Sequence, residues 1–140
     1  MIYYSRRNGG IGSRTKHGRQ MGMTLKLLAI YNAGDLDKEN VLLQADADCQ
    51  LNAYIICDNT YASDGTITNR HCHMYHFQKK SIKKGDYVVL FTKVGKNSEG
   101  TYKEAPLHRF YWGVGSTVWN KDGDCAHLLQ VKSVGNIRTK

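Results

Sequence analysis

The chain has one proline in 140 residues, and no apolar run approaches the roughly 20 residues that a membrane helix needs. A helical membrane span is excluded. Arg6 and Arg7 are followed by polar and glycine residues rather than by an apolar segment, which does not resemble a secretory signal and gives a cytoplasmic address as the expectation. The four cysteines, Cys49, Cys57, Cys72 and Cys125, include no C-x-x-C pair. In a cytoplasmic protein they are most simply reduced thiols in the core or at sheet edges, with a Cys57–Cys125 bridge as the sharper alternative. Enzyme signatures are missing as well: there is no nucleophile elbow, zincin helix or Walker loop. Gly9–Gly12 follows no strand and opens no helix, so it is not a dinucleotide turn. No cofactor is expected, and the chain is read as a non-enzyme.

Acidic residues are scarce too, 12 against 20 Lys and Arg, for a formal charge of +8. Five of those charges, Arg6, Arg7, Arg14, Lys16 and Arg19, lie within residues 1–22 with no acid among them, leaving +3 for the rest. Residues 1–22 also hold Gly9, Gly10, Gly12, Gly18 and Gly22 and show no apolar period, so they are expected to form a loosely held basic arm. Such an arm attracts phosphate backbones or acidic surfaces over long range. Its plainer and favoured use is to solvate the terminus, or to precede a domain starting near Met21 or Met23.

From Met23 the pattern is one of short strands. Residues 24–31, 40–46, 53–57, 72–77, 86–92, 107–112, 117–119 and 126–132 are β-rich and separated by turn formers such as Asp64-Gly65 and Lys84-Gly85-Asp86. Val41, Leu43 and Ala45 alternate with Leu42 and Gln44, as in a strand with two different faces. Pro106 sits just ahead of an aromatic strand, where a missing N–H does least harm. About eight strands and no 3.6-residue stripe predict an all-β sandwich of residues 23–132, with a small barrel as the runner-up and 133–140 as a short basic tail.

Four segments in order carry a family resemblance. They are Ile30–Leu43, Leu51–Asp58, Met74–Phe77 with Ile82–Thr92, and Phe110–Gly113 with Val118–Asp124 running on through Leu128 and Leu129. Together, over residues 24–131, they resemble the lamin-tail domain, an immunoglobulin-like β-sandwich of nuclear lamins and many bacterial proteins. The resemblance implies a Trp112–Trp119 hairpin and a role as an interaction module for protein or nucleic acid. Fold alone does not fix function, because such sandwiches host many binding roles.

Three constellations bear on chemistry. Lys79, Lys80, Lys83 and Lys84 form a basic strip near Tyr75, Phe77 and Tyr87; with the arm, it is the candidate surface for an acidic macromolecule, nucleic acid or protein. Lysines that blunt a sheet edge are the plainer reading of that strip. His71 and His73 share a strand face, and with His108 or His127 they would form a metal site, with Asp35 or Asp37 as base of a metal-dependent hydrolase or nuclease. That is the alternative reading; the expectation is a polar edge strand and no metal. Asp35, Asp37 and Glu39 alternate in a loop but lack the glycine and distal glutamate of a calcium loop, so turn capping by Asp35 and solvated charge are expected.

Overall fold

The computed structural model describes residues 22–60, 64–66, 73–120 and 123–140. The arm carrying Arg6, Arg7, Arg14, Lys16 and Arg19 lies outside them, as do His71, Cys72 and Asp122. Among the described residues ten strands run in chain order: β1 Leu25–Tyr31, β2 Asn40–Ala45, β3 Cys49–Gln50, β4 Tyr54–Thr60, β5 Met74–His76, β6 Ser81–Ile82, β7 Tyr87–Phe91, β8 Ser98–Tyr102, β9 Ala105–Tyr111 and β10 Asp124–Gln130. A 3-10 turn, Leu51–Ala53, links β3 to β4.

The strands form an all-β sandwich. A five-stranded sheet in the order β1-β2-β7-β9-β8 faces a three-stranded sheet, β10-β4-β5, and the short pair β3-β6 closes one end. Val41, Leu43, Val88, Leu90 and Phe110 from the first sheet meet Tyr54, Ile56 and Leu128 from the second in one buried core. Alternation explains the selection, because every second side chain of a strand points to the same face. Tyr54 is nearly fully buried, and its hydroxyl engages the Thr24 amide at 2.9 Å and the Thr24 hydroxyl at 2.8 Å, so its polar end is satisfied.

Pairing is antiparallel except between β7 and β9, which run parallel from Tyr87↔Leu107 to Phe91↔Tyr111. After β7 the chain passes over one strand position, descends as the edge strand β8, and turns back into the gap as β9. The turn is tight: Lys103 and Glu104 have φ of 50° and 66°, the left-handed conformation that two-residue hairpin loops require.

Three expectations are corrected here. Residues 117–119 are not a strand, so no Trp112–Trp119 hairpin forms, although Val118 and Trp119 are buried and the two indoles sit 6.1 Å apart. Residues 98–102, which have turn-forming composition, are strand β8. Pro106 lies inside β9 rather than ahead of it; the parallel ladder starts one residue later, at Leu107, so no β7 partner is denied an N–H. Cys57 and Cys125 are thiols rather than a bridge.

Candidate binding surface

Two of the four strip lysines, Lys79 and Lys80, lie in the link from β5 to β6, and Lys83 and Lys84 lie in the turn from β6 to β7. Turn chemistry sets that second pair: Asp86 accepts from the Lys83 amide at 3.1 Å, and Gly85 takes a φ of 94°. The Lys84 amide donates to Asp48 Oδ1 at 2.8 Å, which pins the turn to the loop before β3.

The four ammonium groups differ in how far they are neutralised. Lys80 is half-buried and paired with Glu99, and this hydrogen bond and charge hold the Glu99 carboxyl below the usual carboxylate range. Lys83 lies 3.9 Å from Asp48 with both side chains largely in solvent, so that pair is heavily screened. Among the described residues, Lys79 and Lys84 have no carboxylate within ion-pair distance. The strip therefore keeps Lys79, Lys83 and Lys84 as cations open to a partner and uses Lys80 structurally.

Lys79 and Lys80 also border a cleft of about 370 Å3 at the β8 edge, completed by Gln78, Asn97, Ser98, Glu99, Arg109 and Phe110. Its one carboxylate is the Glu99 already held by Lys80. Asn97 accepts the Tyr111 amide through Oδ1 at 3.1 Å, and this orients its amide nitrogen as a donor. Arg109 gives one N–H to Ser98 at 3.3 Å and keeps others. A cleft with a guanidinium, an ammonium and amide donors suits an anionic oxygen.

The histidines of the metal alternative are dispersed. His73 Nδ1 lies 3.1 Å from Asp58 Oδ2, and His73 also donates its backbone N–H to Asp58 Oδ1 at 2.9 Å. In the other sheet, His108 Nε2 lies 2.9 Å from Asp86 Oδ2, with both side chains about nine-tenths buried. His127 is on β10 opposite Cys57, and His71 lies outside the described residues. Among those residues no three His, Cys, Asp or Glu side chains gather as a metal would require. His76, at the end of β5, lies 2.7 Å through Nε2 from the Asn52 carbonyl.

The acidic loop divides. Asp35 caps its own turn through the Asp37 amide at 3.1 Å. Glu39, expected to be solvated, is fully buried instead and acts as a hub. Its Oε2 accepts from Thr92 Oγ1 at 2.5 Å, Val118 N at 2.8 Å and Trp119 N at 3.3 Å, while Oε1 accepts from Gly34 N at 3.1 Å. One carboxylate thus ties the β1–β2 loop to the end of β7 and to the strandless 118–119 segment. These contacts replace the ladder that a hairpin would have supplied, and this is why Trp119 is buried without being in a sheet. Sequence spacing gave no sign of it, because the three buried partners, Thr92, Val118 and Trp119, are 53 to 80 residues away.

Comparison with protein-family models and with curated proteins finds no match.

Proposed function

We propose that this chain is a non-enzymatic interaction module, a lamin-tail-like sandwich of immunoglobulin type, which binds an acidic macromolecule in the cytoplasm. The observation that carries the reading is the placement of charge. Five cations and no acid stand in residues 1–22, and Lys79, Lys83 and Lys84 project from the domain with little or no neutralisation. Cations so arranged are drawn to polyanions, and each phosphate contact gains free energy by releasing counterions. The lamin-tail reading is supported by the two-sheet core and by the burial of Trp119 beside Trp112; the parallel β7–β9 pair is its point of departure from an all-antiparallel sandwich.

The test is a titration of the full chain against labelled duplex and single-stranded oligonucleotides and an acidic peptide. Two charge-removal variants are compared, one with Arg6, Arg7, Arg14, Lys16 and Arg19 changed to Gln, the other with Lys79, Lys83 and Lys84 changed to Gln. Both are expected to weaken binding. Binding to none of these ligands would overturn the proposal.

A further inference from the structure

The outward face of the five-stranded sheet carries a composition unlike an ordinary solvated face. With Val41, Leu43, Val88 and Leu90 turned to the core, alternation turns Leu42, Val89 and Leu107 outward, where Tyr87, Phe91 and Tyr102 pack over them. Register extends the pattern, since Phe91 lies opposite Tyr111 and Val89 opposite Arg109. The result is two aromatic pairs. Tyr87 and Tyr102 meet edge to face at 4.9 Å, and Phe91 and Tyr111 stack at 5.2 Å with 17° between planes. Each pair sits at one end of the strands, about 13 Å apart at the rise of four strand residues.

Arg109 occupies the middle row between them. Its guanidinium lies over Gly100, where a Cβ would come within 2.5 Å of Nη2 and 3.0 Å of Cζ. Only a glycine lets the guanidinium settle against β8 in this way, so one planar cation is laid on the sheet between two aromatic pairs. Lys93 and Lys103 add charge at opposite ends, their ammonium groups 5.9 Å and 5.4 Å from the centres of the Phe91 and Tyr102 rings. No carboxylate occupies an outward position of β2, β7, β8 or β9; Glu99 belongs to the opposite face, in register with His108. At one margin Arg109 is shared with the cleft that holds Lys79 and Asn97.

We propose that this face binds single-stranded nucleic acid. Unpaired bases stack on the two aromatic pairs and on the Arg109 guanidinium, and backbone phosphates lie toward Lys93, Lys103 and the Lys79 cleft. Aromatic rings spaced along a cationic sheet face without outward carboxylates fit a ligand that alternates flat apolar bases with anions. An acidic peptide supplies the charge without the stacking partners, and a duplex keeps its bases paired and out of reach. The inference rests on the acidic-partner reading above and narrows it to one ligand class.

Fluorescence anisotropy with the full chain tests it, using a single-stranded DNA 12-mer, the same sequence as RNA, its duplex, and heparin at matched salt. Single strands are expected to bind more tightly than duplex. Tyr87→Leu, Tyr102→Leu and Tyr111→Leu, which keep apolar cover over the sheet, should each weaken single-strand binding by about 5-fold or more while leaving heparin unchanged. Arg109→Lys, which keeps the charge but not the plane, should do the same. Amide shift mapping on the unaltered chain is independent of any folding defect, and the oligonucleotide should perturb residues 87–91 and 100–111. Equal affinity for single strand, duplex and heparin, or shifts confined to other residues, would overturn this inference and leave the acidic-partner reading standing. Failure to bind any of the four would remove both.

Discussion

Replacing Glu39 is the sharpest perturbation of the fold. Glu39→Ala leaves three buried donors, the amides of Val118 and Trp119 and the Thr92 hydroxyl, facing a void, and frees the part-buried Gly34 amide. Each stranded buried donor costs about 1–3 kcal/mol. Relief from burying a carboxylate and rotation of the Thr92 hydroxyl offset part of that sum, so the net loss is about 4 kcal/mol. Glu39→Gln should be much milder. Its carbonyl oxygen can take the Oε2 position with three donors, and its amide then faces only the Gly34 N–H, for a loss of about 1–2 kcal/mol. Urea unfolding followed by tryptophan fluorescence is the assay, with an unchanged m-value expected for both variants. An alanine variant within about 1 kcal/mol of the parent, or a glutamine variant as damaged as alanine, would refute the hub.

Other consequences follow from single contacts. Burial, with Asp58 and Cys125 adding to it, pushes the Cys57 thiol from 9.0 up to about 11. Alkylation of Cys57 at pH 8 should therefore be about 100-fold slower in the folded chain than in urea, counting thiolate alone; equal rates would contradict the assignment. The raised value also means that the folded state holds its proton longer than the unfolded one, so this thiol's contribution to stability is complete below pH 9 and lost as pH rises toward about 11. Gly95→Ala would place a Cβ 2.3 Å from the Tyr111 ring, and it should cost about 1–3 kcal/mol in thermal or urea unfolding. Lys103→Asn with Glu104→Gly suits the positive φ at both positions and should stabilise the β8–β9 hairpin by about 1 kcal/mol, seen as a higher urea midpoint.

The sequence pattern made legible the strands that are locally apolar or alternating. The Val41, Leu43, Ala45 face of β2 follows from alternation, Leu25–Tyr31 and Tyr87–Phe91 follow from their apolar content, and turn formers marked most of their ends. What escaped were elements defined by distant partners. Ser98–Tyr102 is a strand because β9 pairs with it, despite a Ser-Glu-Gly composition that favours turns. Val118 and Trp119 have strand-like residues but are held by a carboxylate near the start of the chain instead of by a ladder. Charge was legible in the lysine strip, but its partial neutralisation by Glu99 and Asp48 was not, since both lie far off in the sequence. The outward aromatic face was hidden for the same reason: Tyr87, Phe91, Tyr102 and Tyr111 become neighbours only once β9 is inserted between β7 and β8.

The most direct test of the central claim is the salt dependence of oligonucleotide binding by the full chain. A plot of log Kobs against log salt concentration is predicted to be linear and steep, losing about 0.7 of slope for each phosphate contact on a single strand. Removing the positive charge of Lys79, Lys83 and Lys84 should flatten it by about two units, at the same loss per contact. A slope near zero, or one untouched by those substitutions and by loss of the arm's five cations, would contradict the account.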